Sequence, residues 1–288
     1  MLELYVDKKD PDRFPTVQEA LNSVPYEESA IIYIGKGVFK EKLFADKNDI
    51  TLIGQGVDET VITFSDYGHK PHLNGLKLGT FRSYTAFFSG EKLTLKNLSI
   101  KNEAGRGQDV GQGVALYLDS KNVRCENVHL LGHQDTLFIS PLPLKEREKY
   151  GFKGPREMCE RKRCNALFRD SLIEGDIDFI FGGGNARFEN CTINALSSGY
   201  VCAPAECDKG FVFYNCKFLA PKGCDVYIMR SWRDGAKVSL IECDISPAYN
   251  KNGALKWNER EQNHIYVYGL NREFENSIKL TKEQVLSL

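Results

Sequence analysis

The sequence predicts an all-β protein, a parallel β-helix with a short helix at each end. Three observations carry that reading. Short β-type runs separated by turns fill most of the chain, and helix signals occur only near its two ends. One pattern also recurs, as LKNLSI at 95–100, CENVHL at 125–130, FRDSLI at 168–173, FENCTI at 188–193, FYNCKF at 213–218 and IECDI at 241–245. Its polar member falls at Asn97, Asn127, Asp170, Asn190, Asn215 and Glu242, at intervals of 20 to 30 residues except for one of 43 between Asn127 and Asp170. Similarity at such a period marks a solenoid, in which each coil buries its apolar face only against its neighbours. A β-sandwich with irregular turns is the alternative. The near-parallel likeness of successive coils favours stacked parallel strands.

The elements follow in order. Leu2–Val6 reads as a strand. Thr16 and Glu19 then form a capping box, and Val17, Ala20, Leu21 and Val24 line one helical face before Pro25 stops it. Such a helix suits the open end of a strand stack, where unpaired backbone would invite association. Runs at 30–34, 50–53 and 61–64 are strands, with Gly54 and Gly56 as punctuation. In the repeats, the recurring asparagine suits a tight bend, because its side chain bonds locally and tolerates left-handed backbone. Cys191, Cys216 and Cys243 share one repeat position and are expected to stack inside as small hydrophobes. Ala166–Ile173 and Ala186–Ile193 each read as a half-buried strand, joined by an acidic turn holding Asp176, Asp178 and Gly182 to Gly184. The long interval contains segment 141–163, with eight basic and four acidic residues. It reads either as a solvated surface loop or as a basic flap that recruits an anionic ligand. Thr281 and Gln284 form a second capping box that starts a terminal helix. No linker or compositional break interrupts residues 1–288, so one domain is expected.

Composition narrows the function classes. A formal net charge of −1 lacks the basic footprint of a nucleic-acid binder. No apolar stretch reaches membrane-spanning length, and MLELYVDKKD has no signal-peptide architecture. Nine cysteines without an export signal fit a reducing compartment, so a cytoplasmic location is expected. Cys159 and Cys164, like Cys202 and Cys207, stand close enough to suggest zinc, but they lack the usual knuckle spacing. Buried thiols are the preferred reading, and neither a metal nor a cofactor is expected.

Candidate chemistry sits on neighbouring coils. GQGVALYL at 111–118 precedes GHQDTLF at 132–138 by one coil, and Asp178 lies between Ile177 and Phe179. Coil stacking brings distant residues at matching positions together, so Gln112, Gln134, Asp135 and Asp178 are expected on one exposed face. A carboxylate among apolar groups is costly unless paired, and shifted carboxyls cluster at active sites. The plainer alternative makes Asp178 and Asp135 turn caps, Gln112 and Gln134 solvent-facing, and Arg230 a surface ion-pair partner. His133 is assigned no catalytic role.

QGVALYL, GHQDTLF, IEGDIDFIFG and IMRSW, together with FPTVQEALNSVP, ITLIGQG and GTFRSYTAFFSG, resemble the signature regions of the pectin methylesterases. These are carbohydrate esterases built on a right-handed parallel β-helix. The resemblance implies Asp178 as nucleophile, Asp135 as proton donor, and Gln112 and Gln134 as amides stabilising the anionic intermediate. It also implies Arg230 holding the nucleophile, and Trp232, Thr80 and Phe181 contacting substrate. The implied substrate is a methyl-esterified polygalacturonate or oligogalacturonide, hydrolysed without a cofactor. The chain departs from the family in reading GGGNA after DFIF, in MRSW for a GRPW-type element, and in the inserted 141–163 loop. These departures bear on the substrate subsites and favour oligomers over long polymer. Competing readings are a β-helix polygalacturonase or lyase, and a non-catalytic pectin-binding solenoid. A serine esterase is disfavoured because no G-x-S-x-G element occurs.

Overall fold

The structure is a computed structural model that describes residues 1–73, 75–205, 208–255 and 264–288. Its strands pair in parallel into three ladders that run the length of a right-handed coil stack. The first ladder begins with Leu2–Val6 on Ser29–Ile34 and continues through Asp49–Ile53, Asn165–Arg169, Asn185–Glu189 and Phe211–Tyr214 to Lys237–Ile241 and His264–Tyr268. The second passes from Gly37–Lys40 and Thr60–Phe64 to Lys217–Leu219 and Asp244–Ile245. The third joins Leu43–Ala45 and Leu137–Ile139 to residues 180–182 and Val226–Met229 by way of the long strands.

The polar repeat residues make the corner between the first and second ladders. Asn97, Asn127, Asp170, Asn190, Asn215 and Glu242 all take left-handed backbone, with φ between 48° and 54°. Short polar side chains tolerate that region best, which is why Asn and Asp recur there. Two pairs of these corners also stack by their amides, Asn127 on Asn97 at 2.9 Å and Asn215 on Asn190 at 2.7 Å. The corners correct one expectation. Ala166–Ile173 and Ala186–Ile193 are not single strands. Each is broken at its corner, so Asn165–Arg169 and Asn185–Glu189 lie on a different ladder from the strands that begin at Leu172 and Thr192. Asp176 and Asp178 of the expected acidic turn lie in strand, within Leu172–Gly182, with a pair of register shifts around Ile177; the bend itself is confined to Gly183 and Gly184.

Side chains pointing inward fill the coil with stacked like residues. Phe168, Phe188 and Phe213 lie ring on ring at 4.8 and 4.6 Å, and Cys191, Cys216 and Cys243 are buried beside them, as their shared repeat position predicts. The third ladder is apolar on its outer face too. Phe87, Tyr117, Phe138 and Phe181 stand in register there and form a second buried cluster with Phe81. Burial on both faces explains the unbroken apolar runs ALYL, LFI and FIF.

Both end helices form. Val17–Ser23 buries Val17, Ala20 and Leu21, and Thr16 Oγ accepts the Glu19 amide at 3.1 Å. Only this half of the expected capping box accompanies it; the Val17 and Gln18 amides donate instead to the Glu41 carboxylate. At the other end, Thr281 and Gln284 form the complete box ahead of Lys282–Leu286. No helix among the described residues is long and apolar enough to cross a membrane.

Candidate active site

The site lies on the outside of the third ladder, where the chain arrives from the second. Asp135 and Asp178 occupy matching places at this entry on successive coils, and both take left-handed backbone, with φ of 66° and 50°. The Asp135 amide donates to the Ile177 carbonyl at 3.0 Å, which seats one acid beside the other. In Asp178 the register shift has a steric use. It turns the carboxyl toward the cleft while Phe179 enters the interior core and Phe181 joins the outer aromatic cluster.

All eight residues singled out in the sequence line one cleft of about 800 Å³: Thr80, Gln112, Gln134, Asp135, Asp178, Phe181, Arg230 and Trp232. Asp178 is 5% exposed and is held by Arg230 in a two-pronged pair, Nε to Oδ1 at 2.7 Å and Nη2 to Oδ2 at 2.5 Å. The guanidinium in turn lies over the Tyr200 ring at 4.1 Å. Burial raises the Asp178 pKa, and the hydrogen bonds and charge of Arg230 oppose it. For Asp135 the balance is different. Burial pushes it well above the ordinary carboxyl range, the negative charge of Asp178 pushes further, and Asp176 adds to this; only the charge of Arg230 pulls the other way. The two acids therefore separate in proton affinity, Asp135 keeping its proton more tightly.

The glutamines are set by glycines. A Cβ on Gly68 would stand 2.5 Å from Gln112 Oε1, and one on Gly107 would stand 2.3 Å from Gln134 Oε1 and 2.6 Å from its Cβ. Bare backbone at these two positions lets the amides settle at the cleft wall. His133 points to another acid. Its Nδ1 lies 2.9 Å from Asp176 Oδ2, and the Asp176 amide donates to the His133 carbonyl.

The inserted segment is a flap over this cleft. Residues 147–153 contribute to its lining, and Phe152 packs edge-on against Phe81 and Trp232 at 5.8 and 6.0 Å. Trp232 also faces Phe81 at 6.3 Å and Phe181 at 5.9 Å. Motif reading missed Phe81, Phe152, Tyr200, Arg147 and Arg233. Phe81 lies inside GTFRSY, and the charge of 141–163 is the sequence signal for the flap.

The family profile for pectinesterases matches residues 3–142 and 160–282. The chain belongs to the pectinesterase family. It is 29% identical over 276 residues to probable pectinesterase/pectinesterase inhibitor 13 of Arabidopsis thaliana, covering 89% of this chain and 40% of that protein. The chain thus spans about two fifths of the length of the first curated pectinesterase relatives it matches. Its fold is that of pectin methylesterase from carrot, with a TM-score of 0.81 at 20% identity over 98% of this chain and 89% of that one. It equally resembles a pectin methylesterase solved in complex with a hexasaccharide, with a TM-score of 0.77 at 22% identity over 99% and 94% of the two chains. The profile passes over residues 143–159, so the flap is an addition to the pectinesterase framework.

Among the described residues no cluster of three or more His, Cys, Asp or Glu could hold a metal. Cys164 and Cys202 are buried thiols, whereas Cys159 is exposed on the flap, and Cys207 lies outside the described residues.

Proposed function

We propose that the protein hydrolyses methyl esters on galacturonate chains, releasing methanol. The observation that carries the reading is the unequal pair of buried acids, one tied to a guanidinium and one not, facing a cleft that two glutamine amides also line. Family membership and the hexasaccharide held by a protein of like fold support the substrate class.

In this mechanism Asp178, ionised through Arg230, attacks the ester carbonyl carbon. The oxygen that becomes negative is met by the Gln112 and Gln134 amide N–H groups, and a single donor of this kind is worth about 2.7–4 kcal/mol elsewhere. The tetrahedral adduct collapses, the C–OCH3 bond breaks, and methoxide takes the Asp135 proton and leaves as methanol. Asp178 is then joined to the sugar as a mixed anhydride. Asp135, now a carboxylate, takes a proton from water as its oxygen attacks the same carbon. Collapse of the second adduct frees Asp178 and a galacturonate acid, and Asp135 is again protonated. One water is consumed and one methanol formed.

The test is methanol release from methyl-esterified oligogalacturonides, with sugar-chain length followed in parallel. Wild type is expected to release methanol without cutting the chain, and Asp178→Asn and Asp135→Asn to lose at least about a thousandfold in kcat. Chain cleavage in place of methanol would make it a glycosidase or lyase. Sugar binding without turnover, unaffected by Asp178→Asn, would make it a binding solenoid.

A further inference from the structure

His133 and Asp176 stand two residues ahead of Asp135 and Asp178, on the same two successive coils, and neither lines the cleft. Three bonds cross between these short segments. The Asp176 amide donates to the His133 carbonyl at 3.2 Å, the Asp135 amide donates to the Ile177 carbonyl at 3.0 Å, and His133 Nδ1 meets Asp176 Oδ2 at 2.9 Å. The His133 carbonyl also accepts from Thr136 Oγ1, at 3.2 Å. Bare backbone permits the approach, since a Cβ on Gly175 would stand 2.6 Å from the His133 carbonyl oxygen. The ladder yields at both acids. One register shift falls between Gly175 and Ile177 and the next between Ile177 and Ile180, so Asp176 sits in the first and Asp178 in the second. A bulge re-aims a side chain and interrupts the ladder. Here two occur almost together, one at the nucleophile and one at an acid set back from the cleft.

Asp176 is costly to keep there. Its side chain is 8% exposed, and Oδ1 is buried with no hydrogen-bond partner among the described residues. An asparagine can make the same bond to an imidazole with no charge to desolvate. What the carboxylate adds is a negative charge close to Asp135. Burial and the charge of Asp178 are the larger reasons that Asp135 holds its proton, and Asp176 adds to them. The other groups around Asp135 do not replace it. Arg230 pulls the opposite way, the Tyr200 ring lies under its guanidinium, and Arg147 of the flap acts on Arg230. Asp178 itself serves for only half of the reaction. Once acylated it carries no charge, at the stage when Asp135 must take a proton from water. The charge of Asp176 persists through both halves, and a stronger base at Asp135 suits the second.

We propose that Asp176, held by His133, is a positioning residue for Asp135, placing a fixed buried charge behind the proton donor through both halves of the reaction. The role rests on the esterase reading above. Its test is the pH dependence of kcat/KM for methanol release from methyl-esterified hexagalacturonate, in wild type, Asp176→Asn and Asp176→Ser. Asparagine keeps the shape and the bond to His133 and removes the charge; serine removes the charge with a smaller side chain, should the amide disturb folding. The alkaline limb, where Asp135 loses its proton, is expected about one pH unit lower in both variants, the smaller end of what a neighbouring charge contributes. Above both limbs this reads as about a tenfold loss in kcat/KM. A merely structural role lowers kcat/KM at every pH and leaves the limb in place. His133→Asn, whose amide can still donate to Asp176, is expected to keep the wild-type limb. A limb unmoved in the Asp176 variants overturns the proposal, and a limb displaced in His133→Asn overturns the part given to His133. If wild type releases no methanol, the esterase reading fails, and the placement of charge is judged by carbon-13 NMR of the aspartate carboxyls. Titration of Asp135 about one pH unit lower in either Asp176 variant supports it; unchanged titration overturns it.

Discussion

Replacing Arg230 by leucine tests whether the guanidinium sets the charge state of Asp178. Arg230 and Asp178 side chains are 18% and 7% exposed, so solvent screens their pair little. Two charge-assisted hydrogen bonds are lost, each worth about 1.5–3 kcal/mol. Removing one partner of a buried pair costs about 3–5 kcal/mol, because a charge is stranded. The cost appears only where Asp178 is ionised. It is therefore present above the folded-state pKa of Asp178 and fades as pH falls through it. Urea unfolding at pH 8 should show the loss, and Asp178→Asn combined with Arg230→Leu should recover much of it, since no charge then remains to strand. Activity carries the same signature. With the lowering influence of Arg230 gone, burial alone acts on Asp178, and the acidic limb of the kcat/KM profile moves to higher pH. An unmoved acidic limb, together with a double variant no more stable than Arg230→Leu, would refute the reasoning.

Two further outcomes are expected at the site. Asp135→Asn should stabilise the protein at pH 7 while abolishing turnover. The folded-state pKa is raised, so the wild-type acid favours folding at low pH and costs stability as pH rises above its unfolded value, by about 1.4 kcal/mol for each tenfold change in proton affinity. Thermal melts at pH 7 and pH 3.5 check the sign, with the variant's advantage expected at the higher pH only. Gly107→Ala should lower kcat by about tenfold or more with little change in fold, because the new methyl displaces Gln134 at both its Cβ and its amide; Gly68→Ala, which meets chiefly the mobile amide end of Gln112, should cost less in the same methanol assay.

Much of the fold was legible because a coil stack writes its geometry periodically. The polar corners and the apolar runs of the third ladder recur from coil to coil, and three successive coils share a cysteine, so the pattern is visible without coordinates. Strand limits were less so. Periodicity of two is preserved on either side of Asp170 and Asn190, and an alternating run reads straight through a corner that turns the chain onto another ladder. The Thr16 box misled for a different reason: the partner that satisfies the helix amides, Glu41, comes from a later part of the chain, and no local rule anticipates it.

The site was legible as a set of residues, and its environment was not, for a reason visible in the backbone. Nine non-glycine residues among those described take positive φ: six are the repeat corners, two are Asp135 and Asp178, and the ninth is Tyr150 of the flap. At the corners this strained region recurs and serves the stack. At Asp135 and Asp178 it interrupts the ladder instead, at a cost of about 1–3 kcal/mol each, and re-aims a carboxyl that plain alternation would have sent elsewhere. Tyr150 belongs to neither periodic set; Lys149 and Lys153 both lie over its ring, at 5.0 and 4.4 Å, so the flap too bends its backbone where its charges meet the cleft. Departures from the repeat thus coincide with residues that line the cleft. The stack supplies a rigid floor, and chemistry is placed where the chain leaves the regular path.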